Sequence, residues 1–384
     1  MTTPQSLTAA LQAYMTQAIA SRGGWIGFDE FMAMVLYTPG LGYYANDSAK
    51  FGSMPGTRQA GVPATGSDFV TAPEMTPLFG QTLANQVAQA LEATHTSEIW
   101  EFGAGSGALA LQLLASLEAL QLPLPRYRIV DLSGSLRLRQ QATLERYAHT
   151  VQWVSELPDS LQGVVVGNEV LDAMPVKLLA RASGVWYERG VVLQSVRVAE
   201  HGDDARVFAW SDRRTELRPP CEIQGEHDYL TEIHEHGESF IRTLADKISV
   251  GAVFLIDYGF PEHEYYHPQR HMGTVMCHRS HRSDPDPLLD VGLKDVTAHV
   301  NFTGIALAAQ ESGLGVLGYC TQARFLINCG LIGLLENAPL AARVHAQRLI
   351  MEHEMGELFK VIGLYKGEPW EAIGFSQGDR THTL

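Results

Sequence analysis

Long apolar runs are absent from the sequence. No stretch reaches about 18 consecutive apolar residues, the length that a helix needs to cross a bilayer, so we predict no membrane span. Residues 1–21 also lack the basic and apolar regions of a signal peptide, and a transit peptide would contain more arginine. We therefore expect a cytoplasmic location in a bacterium, or the mitochondrial matrix in a eukaryote.

Basic residues and cysteines are few. Lys and Arg total 28 against 43 Asp and Glu, which gives a formal net charge of −15. Because generic binding to a phosphate backbone needs an excess of basic side chains, we expect no nucleic-acid partner. The spacing of the cysteines fits neither a zinc site nor a small disulfide framework, and it is ordinary for a reducing compartment. These cysteines are Cys221, Cys277, Cys320 and Cys329.

The sequence has enough apolar residues for a large core, since 45% of its 384 residues are hydrophobic. Apolar residues recur at helical spacing over residues 5–20 and over Phe28–Tyr37, and Pro39 and Gly40 then end the helix. Residues 40–66 show neither a helical nor a strand period. We predict an N-terminal helical and loop segment over residues 1–66 and a second domain over residues 67–384.

Within this second domain, short apolar runs alternate with helical stretches. The pattern predicts strands over residues 99–103, 127–132, 151–155, 164–167 and 252–258, and helices over residues 107–120, 136–148 and 229–248. Alternating strands and helices indicate parallel pairing with right-handed crossovers. We predict an α/β fold with a Rossmann-like doubly wound sheet, and an insertion over about residues 176–250 between the fourth and fifth strands.

A glycine-rich turn follows the first predicted strand. Gly103, Gly105 and Gly107 would let a ligand approach the backbone at the carboxyl end of that strand. The spacing also fits a dinucleotide site, and a tight turn without a ligand is a further alternative. Glu101 favours S-adenosyl-L-methionine, because a carboxylate is a better neighbour for the ammonium of this cofactor than for a pyrophosphate.

Polar residues follow two other predicted strands. Asp131 comes after the second strand and could accept hydrogen bonds from both ribose hydroxyls of a cofactor. A dinucleotide and S-adenosyl-L-methionine both carry a ribose, so this residue does not distinguish between them. The alternative is an acid in a surface turn. Asn168 and Glu169 end the fourth strand beside the crevice. Asn168 and Asp172 could instead cap a following helix.

Five ordered blocks of the sequence, spread over roughly residues 20–370, resemble the MidA family. Its members are class I S-adenosyl-L-methionine-dependent methyltransferases related to the mitochondrial complex I assembly factor that methylates a protein arginine. Members often carry Pro and Arg where this chain has Ala104 and Ser106. The blocks are GSDFVTAPE (66–74) with Phe79 and Gly80, EFGAGSGAL (101–109), GNEVLDAMPV (167–176), IDYG (256–259) and DVTAHVNF (295–302).

The resemblance implies a methyltransferase that uses S-adenosyl-L-methionine without a metal. The three loop glycines would line the methionine end of the cofactor and Asp131 its ribose, while Asn168 and Glu169 would face the acceptor. Asp68, Thr71 and Glu74 would fold over the cofactor. Thr71 and Glu74 also match the T-x-x-E pattern of a capping box, which is compatible with that role.

The resemblance also implies a protein arginine as the acceptor and a role in assembly of a respiratory or other complex. Glu169 and Asp172 could hold the guanidinium by bidentate hydrogen bonds. His299 could help to remove the proton, and a buried structural histidine is the alternative. A small-molecule methyltransferase, an NAD-linked oxidoreductase and a non-catalytic assembly module are the competing functions.

Three further segments have alternative interpretations. The acidic run over residues 222–238 could attract a basic substrate or form a solvated helix face. Apolar helix faces over residues 321–331 and 340–355 could pair in a homodimer or pack on the sheet. The segment HEYYH (263–267) matches a zincin motif, but Pro261 and Pro268 leave no room for the long helix that such a site needs, so we predict no metal site.

Overall fold

The computed structural model describes residues 4–46, 71–131, 134–197, 204–279 and 282–384. Its helices are α1 (Pro4–Ser21), α2 (Phe28–Tyr37), α3 (Ala72–Met75), α4 (Leu78–Thr94), α5 (Ala108–Ala119), α6 (Gly134–Thr143), α7 (Glu235–Lys247), α8 (Glu262–Tyr265), α9 (Phe302–Glu311), α10 (Gln322–Asn328), α11 (Leu331–Asn337) and α12 (Leu340–Ile350). Its strands are β1 (Trp25–Gly27), β2 (Glu98–Phe102), β3 (Arg126–Val130), β4 (Val151–Val154), β5 (Leu161–Asn168), β6 (Lys177–Ala182), β7 (Val185–Arg197), β8 (Asp204–Arg214), β9 (Tyr229–Ile233), β10 (Ile248–Phe260), β11 (Met276–Arg279), β12 (Arg282–Asp284), β13 (Asp295–Thr297), β14 (Val300–Asn301), β15 (Gly315–Thr321) and β16 (Phe359–Lys366).

The chain divides into two compact units, each built from several segments. The first unit comprises Met1–Ser48, Ala173–Gly237 and Glu262–His299. The second comprises Ala49–Asp172, Glu238–Pro261 and Val300–Leu384. The described part of the predicted N-terminal segment, residues 4–46, thus belongs to the same unit as much of the predicted insertion and residues 262–299.

Antiparallel strands form the first unit. β7 pairs with β1, β6 and β8, and β9 continues the sheet beyond β6. α2 packs on this sheet through two aromatic contacts, with ring centroids 5.5 Å apart for Phe28 and Trp210 and 5.6 Å apart for Phe31 and Phe208. A second, three-stranded sheet has the order β12-β11-β13.

A mostly parallel sheet forms the centre of the second unit. Its strand order is β15-β16-β10-β5-β2-β3-β4, and β16 is the strand that runs antiparallel to its neighbours. Buried residues of this sheet pack against α4, α5, α10 and α12 in one continuous apolar core. The predicted α/β fold and doubly wound sheet are therefore confirmed, and β6–β9 are inserted between the fourth and fifth parallel strands, as predicted.

The strand order reverses between β2 and β5, and this reversal positions the candidate site. The chain runs from β2 outward through β3 to β4, and then returns to β5 on the other side of β2. Phe102 is the register partner of Gly167, so the two strands end side by side. Ligands of open α/β sheets bind at such a point, in the crevice beyond the carboxyl ends of the strands.

The structure corrects three sequence predictions of secondary structure. The helix predicted over residues 229–248 is wrong in its first part, because Tyr229–Ile233 is a strand paired with β6. Thr231 and Glu232 are both polar and both buried in that strand, so its sequence shows no alternation of apolar and polar residues. The helix predicted over residues 136–148 ends at Thr143. The helix predicted over residues 321–331 ends at Asn328, and Gly330, with φ 94°, separates it from α11.

In the part of the chain that the structure describes, every helix is too short or too polar to span a bilayer.

Candidate functional site

The glycine-rich turn between β2 and α5 has a backbone that requires glycine. Gly103, Gly105 and Gly107 have φ values of 65°, 53° and 85°, in the left-handed region that other residues rarely adopt. A Cβ on Gly103 would lie 3.2 Å from the Cγ2 atom of Val170, in the turn after β5. The structure thus brings the loop glycines next to the end of β5, as the sequence predicted.

Glu101 is a buried acid on β2, two residues before Gly103. Its side chain accepts a 2.7 Å hydrogen bond from the Tyr127 hydroxyl, and the residue is 2% exposed. Burial raises the pKa of Glu101 from 4.5 to about 8, the charge of Asp131 adds to this shift, and the bond from Tyr127 opposes it. A cationic ligand group would favour the ionised carboxylate, which fits the ammonium predicted here.

Asp131 directly follows β3, and its carboxylate is held by a residue that sequence analysis missed. The Nε2 atom of Gln140 donates to Asp131 Oδ2 at 2.7 Å and to the Gly105 carbonyl at 3.1 Å. Trp153 Nε1 donates to Gln140 Oε1 at 2.8 Å. Gln140 therefore connects the candidate ribose-binding carboxylate to the glycine turn.

Side-chain hydrogen bonds attach α3 to the glycine turn and to the helix α5 that follows it. The Ser106 hydroxyl donates to the carboxylate of Glu74. Gln112 donates to the Pro73 carbonyl at 2.7 Å and accepts from the Gly80 N–H at 3.0 Å. Glu74 thus lies beside the loop that would hold the cofactor.

Two more residues of the GSDFVTAPE block, Thr71 and Asp68, were predicted to fold over the cofactor. Thr71 precedes α3 as its N-cap residue, but its side chain forms no capping hydrogen bond, so the alternative of a capping box is wrong. Asp68, the third residue predicted in this block, lies outside the described residues.

β5 ends in a strained turn. Glu169 is in the left-handed region with φ 56°, although it is not glycine. Its N–H donates to the Ile256 carbonyl at 2.9 Å, and its Oε1 atom accepts from Asn168 Nδ2 at 2.8 Å. Backbone strain of this kind is often concentrated at functional sites.

Asp257, on the neighbouring strand β10, holds this turn. Its Oδ2 atom accepts the N–H groups of Val170, Leu171 and Asp172 at 3.1, 2.9 and 3.2 Å. Burial, together with the charges of Asp172 and Glu169, raises the pKa of Asp257 well above its ordinary value, and the N–H groups of Asp172 and Leu171 oppose this shift. Because the segment forms a turn, the alternative that Asn168 and Asp172 cap a following helix is wrong.

His299 belongs to the first unit, whereas the other candidate residues with described positions belong to the second. Its N–H donates to the Thr274 hydroxyl at 3.0 Å. The neighbouring His234 is buried, and burial, with the charge of His299 adding to it, lowers the pKa of His234 to about 3.

The structure describes two of the segments that had alternative interpretations, residues 263–267 and the acidic run over residues 222–238. His263 lies within α8, a helix of four residues, and His267 lies two residues after its end. No group of three or more metal-ligating side chains is found among the described residues. In the acidic run, Glu232 is buried and accepts from the Tyr265 hydroxyl at 2.7 Å and from the Thr274 N–H at 2.6 Å. A solvated helix face is therefore wrong for Glu232.

A family model for S-adenosyl-L-methionine-dependent methyltransferases matches residues 82–320. The chain belongs to this family. The resemblance to MidA-like methyltransferases is confirmed, and S-adenosyl-L-methionine is the cofactor of this methyltransferase, as predicted.

Solved structures agree with this assignment. A crystal structure from Burkholderia thailandensis with S-adenosyl-homocysteine bound is 46% identical to this methyltransferase and has a TM-score of 0.90. A native crystal structure from the same organism is 44% identical, with a TM-score of 0.87. Each match covers 99% of this chain and 98% of the other chain.

More distant relatives carry a functional name. Protein arginine methyltransferase NDUFAF7, mitochondrial, from Danio rerio is 25% identical, over 92% of this chain and 86% of its own length. The Homo sapiens protein of the same name is 26% identical, over 80% of this chain and 70% of its own length.

The residues present fit the cofactor. The glycine turn lies close to α6, since a Cβ on Gly107 would lie 3.4 Å from the Cα atom of Gln140. Glu101 is an acid that a cation would ionise, and the carboxylate of Asp131 is held by Gln140. Asn168 Oδ1 is buried and has no hydrogen-bond partner among the described residues.

Proposed function

We propose that this methyltransferase methylates an arginine side chain of a protein. The observation that carries the proposal is the turn after β5, in which Glu169 and Asp172 are three residues apart and Asp257 fixes the backbone. Carboxylates bind a guanidinium through paired hydrogen bonds, so a fixed pair of acids suits this acceptor. The names of the relatives from Danio rerio and Homo sapiens support the same acceptor.

The roles of the cofactor-binding residues are part of the proposal. Gly103, Gly105 and Gly107 allow the methionine end of the cofactor to approach the backbone, with Glu101 beside its ammonium. Asp131 accepts hydrogen bonds from the ribose. Glu74 lies against the glycine turn and contributes to the wall of the cofactor site. Thr71 adjoins this wall at the start of α3.

When bound, S-adenosyl-L-methionine would supply a methyl group on a sulfonium sulfur, and the sulfur would leave with the C–S bonding electrons as the neutral thioether of S-adenosyl-homocysteine. The chain must therefore mainly orient the acceptor and manage its proton. Glu169 and Asp172 would hold the guanidinium by hydrogen bonds and orient one of its nitrogens for methylation, and the amide of Asn168 donates to the carboxylate of Glu169. Proton removal by His299, and a role of the methylated product in complex assembly, stay predictions.

The test is methyl transfer into protein. Cell lysate from a strain that lacks this gene is incubated with the enzyme and tritium-labelled S-adenosyl-L-methionine, and the labelled protein is hydrolysed for amino-acid analysis. We expect label in methylarginine, and a loss of about a hundredfold or more in the Glu169→Gln variant with unchanged affinity for S-adenosyl-homocysteine. Glu92→Gln, which changes an exposed acid of α4, is the matched control.

Three outcomes would contradict the proposal. Label in a small molecule would indicate a small-molecule methyltransferase. Cofactor binding without any labelled acceptor would favour a non-catalytic assembly module. Full turnover of Glu169→Gln would exclude the role given to this carboxylate.

A further inference from the structure

Gln140 is a buried amide on an exposed helix. It is fully buried, whereas the other described side chains of α6 are exposed or half-buried. A buried amide is stable only when its donors and acceptor are paired, because each unpaired group loses its hydrogen bonds to water. The contacts of Gln140 reach three separate segments, namely the glycine turn, the end of β3 and β4.

Trp153 determines which way this amide faces. An indole N–H can only donate, so the atom that it contacts at 2.8 Å must be the amide oxygen of Gln140. The amide nitrogen then directs its two hydrogens at the acceptors, Asp131 Oδ2 and the Gly105 carbonyl. Trp153 is itself fixed in β4, where it is the register partner of Ile129 on β3.

This contact set constrains two parts of the candidate cofactor site together. The hydrogen bond to Asp131 holds the carboxylate in one orientation. The hydrogen bond to Gly105 holds its carbonyl toward α6. Because the C=O and N–H of a trans peptide point in opposite directions, the N–H of Ser106 is directed away from α6.

We propose that Gln140 is a positioning residue for S-adenosyl-L-methionine, which orients the ribose-binding carboxylate of Asp131 and the peptide between Gly105 and Ser106. The inference rests on the proposed placement of the ribose at Asp131. Gln140 acts through these groups and does not itself touch the cofactor.

The test measures binding of two ligands by calorimetry. One ligand is S-adenosyl-homocysteine, and the other is its analogue without the 2′ and 3′ hydroxyls. Gln140→Leu should weaken binding of the complete ligand by about tenfold to about a hundredfold, the range for a lost hydrogen bond to a charged group. The loss for the dideoxy analogue should be clearly smaller, because this ligand lacks the groups that Asp131 would hold.

Two more variants at the same contacts sharpen the test. Gln140→Glu keeps the shape and the acceptor for Trp153, but it removes both donors and adds a charge beside Asp131, so its loss should be at least as large as that of Gln140→Leu. Trp153→Phe leaves Gln140 in place and should give an intermediate loss. Gln141→Leu, a neighbouring exposed position on the same helix, is the matched control and should bind normally.

Asp131→Ala separates failure of the inference from failure of the cofactor placement. If Asp131→Ala does not discriminate between the two ligands, the ribose is not at Asp131. The inference is overturned if Asp131→Ala discriminates between the two ligands but Gln140→Leu does not. Gln140→Leu would then weaken binding of both ligands equally or of neither, and Gln140 would have only a structural role. Thermal unfolding of each variant establishes that it is folded before binding is measured.

Discussion

At the scale of single residues, the buried acid Glu101 has a measurable consequence for stability. Its pKa is raised from 4.5 to about 8 by burial. Between these two pH values the unfolded chain has released the proton and the folded chain retains it. The folded state thus binds more protons, so stability falls as the pH rises through this range.

We predict that Glu101→Gln removes this pH dependence. The amide stays neutral at every pH. The melting temperature of the variant minus that of the parent protein should therefore increase as the pH is raised from about 5 to about 8.5. Differential scanning fluorimetry without cofactor measures the effect, and Glu92→Gln on the surface of α4 should show no such trend. A constant difference between variant and parent across this range would contradict the raised pKa.

At the scale of secondary-structure elements, the turn after β5 depends on a side chain of the neighbouring strand β10. The turn after β5 has no helix to pair its N–H groups, and Asp257 on β10 accepts three of them through one oxygen. Buried N–H groups that lose their acceptor destabilise the fold by about 1–3 kcal/mol each. The position of Glu169 and Asp172 therefore depends on a residue outside their own segment.

We predict that Asp257→Ala lowers the free energy of unfolding by about 3 kcal/mol or more, because four N–H groups lose their acceptor, three at Oδ2 and that of Tyr258 at Oδ1. Asp257→Asn should destabilise the fold less, because its amide oxygen can still accept the three N–H groups that now donate to Oδ2. Its amide nitrogen would then face the N–H of Tyr258, which now donates to Oδ1 at 3.0 Å. Urea unfolding measures both. Equal losses for the two variants would show that these N–H groups do not account for the effect.

The parts of the site that sequence analysis predicted are those encoded in short local patterns. The glycine turn lies within one block between a strand and a helix, and its three positive φ values follow from residue type. Gln140 could not be predicted in this way. Its partners Gly105, Asp131 and Trp153 come from three separate segments, and a glutamine within a polar helix carries no motif of its own.

The strand β9 shows the same limit for an element. Leu230 and Ile233 have a spacing that a helix also has, and the pairing with β6 that makes this segment a strand is a non-local interaction. The turn after β5 is a further example. Asn168 and Asp172 are good capping residues, but the acceptor that holds their segment is Asp257, more than 80 residues away in sequence.

At the scale of the whole molecule, charge should govern the encounter with a protein acceptor. The formal net charge is −15, and the acceptor group in the proposal, an arginine guanidinium, is a cation. Opposite charges accelerate association, and salt screens this attraction over a Debye length of about 10 Å at 0.1 M. The cofactor product, S-adenosyl-homocysteine, has no net charge near neutral pH, so its binding should be much less sensitive to salt.

We predict that raising the salt concentration from about 0.05 M to about 0.5 M increases KM for the protein acceptor about tenfold and changes kcat little, because screening acts on encounter and not on the bound complex. Steady-state kinetics with the labelled acceptor fraction measure the effect, and calorimetry with S-adenosyl-homocysteine over the same salt range is the control. A KM that does not respond to salt would contradict an encounter driven by the net charge of this chain.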